Sequence, residues 1–168
     1  MNGRFSKDMT VCFTGHRSIN KEALEELTSR LDVVIERCAS KGLVRFLSGA
    51  ALGFDTLAAK RVIEAKKKDP SITLTLVIPC RDQTKLWTDL ADLNEYRALK
   101  EYADEIIYIQ VFYDNKCMMK RNKYMIDSSS LCIAYYGGRA GGTQNTVNYA
   151  NKKGVAVVNL FTGQRPAH

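Results

Sequence analysis

Residues 44–78, VRFLSGAALGFDTLAAKRVIEAKKKDPSITLTLVI, read as one strand–helix–strand unit. Val44 to Ser48 is a short β-rich run and Gly49 to Gly53 a glycine-bounded loop. Asp55 to Lys68 is a helix that Pro70 closes. Ile72 to Ile78 is the next strand, and its threonines at 73 and 75 predict one less buried side, as at a sheet edge. Parallel strands need a crossover of this length, so a single such unit already points to an α/β sheet.

The alternation extends both ways. Upstream, Met9 to Thr14 is a strand, followed by the turn Gly15-His16-Arg17 and a helix from Asn20 to Ser40. Leu24, Leu27, Leu31, Val34, Ile35 and Cys38 share one helical face, and Gly42 stops the helix. Downstream, Gln83 to Tyr102 predicts a long helix with Leu86, Leu90, Leu93 and Leu99 facing inward. Glu105 to Val111 is a strand, Lys116 to Asp127 a helix, and Leu131 to Tyr136 a nearly uninterrupted apolar strand. Thr143 to Lys153 is the last helix and Val155 to Leu160 the last strand. Apolar strands without polar alternation belong to a sheet covered on both faces. The expected fold is a single α/β domain over residues 1–168, a three-layer, doubly wound, mostly parallel, Rossmann-like sheet.

Composition removes other classes. The chain has 168 residues, 45% hydrophobic and 26% charged, which is ordinary globular usage and not that of a disordered chain. No window reaches the ~18 apolar residues of a membrane span, and the polar start from Met1 to Asp8 does not read as a signal peptide. Five cysteines, odd in number and without a C-x-x-C pair, fit a reducing compartment, so a cytoplasmic location is expected. Cys12 and Cys132 sit in apolar runs as core residues, whereas Cys80 and Cys117 carry no clear assignment. The two histidines, His16 and His168, lie far apart without clustered carboxylates, so neither a metal nor a cofactor is expected.

The net charge of +7 is localised. Residues 1–114 hold seventeen Lys/Arg against seventeen Asp/Glu, and residues 115–168 hold eight against Asp127 alone. An excess placed this way points to an anionic partner for the C-terminal third, with solvated surface lysines such as Lys152 and Lys153 as the plain alternative.

In a doubly wound sheet, ligands bind beyond the carboxyl ends of the strands. Three loops there are unusual: Gly15-His16-Arg17, the 48–55 segment, and Gly137-Gly138-Arg139-Ala140-Gly141-Gly142-Thr143. Glycine removes the Cβ that would keep an anion from backbone N–H groups, and a helix starting directly afterwards adds unsatisfied amides. Neither glycine loop matches G-x-x-x-x-G-K-[ST] or G-x-G-x-x-G. Candidate ligand-binding residues are Gly15, His16, Arg17, Ser48, Gly49, Gly53, Asp55, Arg121, Gly137, Gly138, Gly141, Gly142 and Thr143. Asp55 has capping of its helix as an equal alternative, and Arg121 has a solvated helix face. Trp87, with Tyr96 and Tyr102, is expected to pack in the core, a subunit contact being the alternative.

The segment Ser48-Gly49-Ala50-Ala51-Leu52-Gly53-Phe54-Asp55 resembles the SGxAxGxD stretch of the DNA-processing protein DprA. Arg121 to Met125, then an apolar strand, then Gly-Gly and Gly-Thr, resembles the RKxxM … PGGxGTxxE arrangement of the LOG phosphoribohydrolases. Both belong to the SLOG superfamily. The order of FTGHR, LSGAALGFD and YYGGRAGGTQNT is most similar to its YpsA/YoqJ branch, a domain of unknown function, and covers Cys12 to about Val158.

The resemblance implies a nucleotide or nucleotide-derived ligand of phosphate or ADP-ribose type; with the glycine loops, the localised positive charge and the missing LOG-type acid, the expected role is that of a sensor or regulatory module. It gives Arg121 as the LOG-type arginine and Gly137, Gly138, Gly142 and Thr143 as the phosphate loop. It also implies a homodimer. At the position of the LOG catalytic glutamate stands Thr146, and no acid follows Asp127, so no catalytic residue is assigned. Two rivals remain: a LOG-like N-glycosidic hydrolase of nucleotides that uses Asp55 or another carboxylate as a non-standard acid, and single-stranded DNA binding as in DprA.

Overall fold

The computed structural model describes residues 6–163. His168 and the first five residues of the polar start lie outside them. After a short 3-10 turn, Lys7–Met9, the chain runs β1 (Thr10–Gly15), α1 (Lys21–Ser40), β2 (Arg45–Ser48), α2 (Phe54–Lys68), β3 (Thr73–Cys80) and α3 (Leu90–Tyr102). It continues with β4 (Glu105–Gln110), α4 (Cys117–Asp127), β5 (Leu131–Tyr135), α5 (Gly142–Lys153) and β6 (Ala156–Asn159).

All six strands pair in parallel, in the order β4-β3-β2-β1-β5-β6. The chain therefore moves outward from β1 to β4, then returns to β1's other side for β5 and β6. This reversal between β1 and β5 makes the sheet doubly wound. Strand alternation divides the core accordingly. Val11, Phe13, Leu74, Leu76 and Ile78 pack with Leu31 and Ile35 of α1, Phe54 and Val62 of α2, and Leu99 of α3. Cys12, Leu47, Val77 and Cys132 face Met125 and Ile126 of α4 and Ala150 of α5.

Local chemistry sets the helix ends. The Asn20 side chain accepts from the Glu22 amide to start α1, and Gly42 follows its end at φ +85°. Gly154 ends α5 in the left-handed region.

Tyr102, expected in the core, is exposed, and three further expectations need correction. The helix predicted over 83–102 begins only at Leu90, because Asp89 caps it, accepting from the Ala91 and Asp92 amides. The segment before it is a chain of turns, and Leu86 and Leu90 are 85% and 68% exposed instead of facing inward. β3 is interior, not an edge: Thr75 is 2% exposed, and its hydroxyl donates to Glu105 of β4. Leu24 lies at the margin of the α1 apolar face and is exposed.

Candidate functional site

The carboxyl ends of β1 and β5 are level, since Gly15 pairs with Tyr135. The loops that leave them are joined by one residue. The His16 amide donates to the Tyr135 carbonyl, its carbonyl accepts from the Phe54 amide, and its Nε2 accepts from the Gly137 amide at 2.8 Å. His16 thus ties the loop after β1 to the start of α2 and to the glycine loop after β5. Accepting at Nε2 requires a neutral ring with its proton on Nδ1. Burial, and then the Arg139 charge, lower the His16 pKa and hold it in that form.

Two glycines permit the close approach of these loops. A Cβ on Gly15 would lie 2.5 Å from the Phe54 ring, and one on Gly53 would lie 2.2 Å from the Arg17 carbonyl oxygen. Gly53 also holds φ +83° as the residue before α2.

Beneath the loops lies Arg121, 4% exposed, so the solvated-face alternative does not hold. Its Nη1 donates to the Gly49 carbonyl at 2.7 Å and to the Val77 carbonyl at 3.4 Å, and its Nε donates to Asn122 Oδ1. Gly49 makes room for it, because a Cβ there would sit 2.2 Å from Nη1 and 2.8 Å from Asp55 Oδ2. The buried Gln83 amide donates to the same Gly49 carbonyl.

Asp55 is 5% exposed and does not cap α2, whose N-cap residue is Gly53. Its Oδ1 has no hydrogen-bond partner. Burial raises the Asp55 pKa to about 6, against the opposing pull of Arg121, the Ala51 amide and Arg17.

These elements enclose a cleft of about 330 Å³. Of the candidates, Gly15, His16, Arg17, Asp55, Arg121, Gly141, Gly142 and Thr143 line it. Ser48, Gly49, Gly53, Gly137 and Gly138 do not. Ser48 is fully buried and donates from its hydroxyl to the Asp55 carbonyl, a framework role. Gly49 and Gly53 are spacers, Gly137 is held by His16, and Gly138 forms the open turn at φ +92°.

Lining residues outside the candidate set include Ser18, Ala51, Met118, Asn122 and Arg139. Met118 and Asn122 flank Arg121 at i−3 and i+1, so the helical period was the signal that could have found Met118. Arg139 stands exposed on the glycine loop.

Chemically, the cleft presents three guanidinium groups, one buried carboxylate and the first amides of α5, whose N-cap is Gly141 with no side-chain cap. A helix start left open beside arginines suits an anion. Thr146 does not reach the cleft: it is 1% exposed and donates to the Gly142 carbonyl within α5. Asp55 is the one carboxylate among the lining residues.

Of the eight basic residues after position 114, Arg121 and Arg139 line the cleft. Lys123 and Lys153 instead lie over the Tyr149 ring on the outer α4–α5 face. All five cysteines are buried and free, and burial, Asp82 and Cys117 push the Cys80 thiol up to about 12. Among the described residues no cluster of His, Cys, Asp or Glu could hold a metal, and no helix is long and apolar enough to cross a membrane.

A family model described as YpsA, YspA SLOG family, matches residues 11–157. The uncharacterized SPbeta prophage-derived protein YoqJ of Bacillus subtilis (strain 168) is 37% identical over 141 residues, 76% of this chain and 81% of YoqJ. Among solved structures, DNA processing protein A from Helicobacter pylori superposes with a TM-score of 0.63 at 17% identity over 90% of this chain. DprA from Streptococcus pneumoniae gives 0.65 at 16% identity over 94%. The chain spans 64% and 53% of those two structures, and the likeness extends to the fold.

Proposed function

The chain belongs to the YpsA (YspA SLOG) family, and from that premise we propose that it binds a nucleotide or nucleotide-derived ligand, as a sensor or regulatory module. The ligand's phosphate lies against the start of α5 between Arg17 and Arg139. One observation carries this reading: the loops after β1, β2 and β5 meet at a cleft lined by guanidinium groups and by the uncapped start of a helix. Arg17 and Arg139 are both exposed and line the cleft, where their guanidinium groups can fork onto phosphate oxygens.

Calorimetry with AMP, ADP-ribose and NAD tests the reading. Binding by the wild type, weakened at least about tenfold in Arg139→Ala, supports it. No binding by any of the three, or equal binding by the variant, sinks it.

A second reading is favoured by Asp55 alone, a carboxyl raised to about 6 that lines the same cleft. Here water would add across an N-glycosidic bond and release free base and ribose phosphate, with Asp55 as acid–base group. Base release from a nucleotide panel, lost in Asp55→Asn, is its test. Single-stranded DNA binding, which describes the Helicobacter pylori neighbour, ranks last because Lys123 and Lys153, two of the basic residues after position 114, lie over Tyr149 and not among the cleft's lining residues.

A further inference from the structure

A second cavity, of about 730 Å³, adjoins the cleft on the β3–β4 side and shares Arg17 and Met118 with it. Trp87, Phe112 and Tyr113 line it. Phe112 and Tyr113 are 78% and 58% exposed, yet their loop is pinned. The Val111 carbonyl accepts from the Arg81 amide, the Phe112 carbonyl from the Gln110 side chain, and the Tyr113 amide donates to Asp82 Oδ1. Large apolar side chains held in water on a fixed loop, at the mouth of a cavity, are the usual mark of a contact surface.

The two cavities differ in charge. The cleft has Arg17, Arg121 and Arg139 against Asp55. The second cavity has Asp82, Asp89 and Asp92 against Lys85 and the shared Arg17. A ligand spanning both must be anionic at one end and, at the other, flat, apolar-faced and rich in hydrogen-bond donors.

Resting on the phosphate reading above, we propose that the second cavity is a base subsite: a mononucleotide places its phosphate in the cleft and its heterocycle among Trp87, Phe112 and Tyr113. An aromatic side chain stacks on any base face, and carboxylates accept from exocyclic amines. The same carboxylates disfavour a nucleic-acid strand, whose next phosphate would have to lie beside them.

The test uses the four nucleoside 5′-monophosphates, ribose 5-phosphate and an oligodeoxyadenylate. Trp87, the sole tryptophan, serves as an internal fluorescent reporter. The tightest mononucleotide is expected to bind about tenfold or more tighter than ribose 5-phosphate and to change Trp87 emission. A Phe112→Ser/Tyr113→Ser double variant, altered at exposed positions, is expected to lose that advantage while binding ribose 5-phosphate as before. Three outcomes overturn the base subsite and leave the phosphate reading standing. They are equal affinity for mononucleotide and ribose 5-phosphate, an advantage unchanged in the double variant, and tighter binding of the oligonucleotide. Failure of every probe to bind overturns both.

Discussion

Arg121, Gly49 and Asp55 form one buried unit at the residue scale. The guanidinium sits where a Gly49 side chain would otherwise be, so Gly49→Ala must displace it and is expected to cost about 3 kcal/mol in urea unfolding. Gly138→Ala provides the contrast. Its added carbon meets open space, so only the positive φ is penalised, by about 1 kcal/mol. Asp55 carries a pH prediction. Its folded pKa of about 6 lies above the ordinary 3.8, so the native state favours the protonated form. The associated stability is present in full below 3.8 and lost as pH rises through 6. The gap corresponds to roughly 3 kcal/mol, so Asp55→Asn is expected to be at least as stable as the parent at pH 8. That difference is expected to narrow by about 1 kcal/mol at pH 5, read by urea unfolding of both proteins. A difference that stays constant between the two pH values refutes the buried-carboxylate account. The three residues were legible in the sequence as site candidates, but the buried unit they form was not. Arg121 falls in a run with Lys120 and Lys123 for which a solvated helix face was the alternative, and the absence of a side chain at Gly49, far away in the chain, admits it to the interior.

At the scale of elements, the strands and helices were legible from their apolar periodicity, with a cap residue agreeing at Asn20 before α1. The failures occurred where two signals conflicted. Leu86 and Leu90 fall on the helical spacing of Leu93, but Asp89 takes the cap position and breaks the run. Leu86, before it, is then left to the solvent and to the second cavity, and Leu90, just after it, to the solvent instead of the core. Thr75 looked like an edge residue because hydroxyls usually face water; here β4 and Glu105 satisfy it inside the sheet. The glycine loops were legible as loops. Which glycines line the cleft and which serve as spacers was not, since that depends on neighbours remote in the chain. The start of α5 yields a prediction at this scale. A Cβ at Gly142 meets open space, and an acid in a first helical turn complements the helix dipole. Gly142→Asp is therefore expected to stabilise the protein by about 0.5 kcal/mol while weakening anion binding at least about tenfold. A variant that loses stability, or binds as before, shows that these amides are not the anion site. Thermal unfolding and calorimetry on the same sample measure both.

At the scale of the whole molecule, the site is coupled to the fold through two neighbouring interior strands. β1 and β5 contribute to both packing clusters, and their carboxyl ends carry the loops that His16 ties together. A ligand held by those loops therefore stabilises the whole sheet. At a hundredfold excess over Kd, the linkage is worth about 2.7 kcal/mol. For a domain of this length that corresponds to a rise of roughly 5–10 °C in Tm. The best mononucleotide is expected to produce this rise, and sodium chloride at equal ionic strength is not, because exposed arginines screened by bulk ions make no fixed contact. Arg139 separates stability from binding. It is exposed, so Arg139→Ala is expected to leave the ligand-free Tm within about 1 °C and to remove most of the ligand-induced rise. If the variant keeps the full rise, the anion does not sit beside the glycine loop. If its ligand-free Tm falls by several degrees, Arg139 is part of the fold's framework, and the cleft loses the side chain on which the phosphate reading chiefly depends.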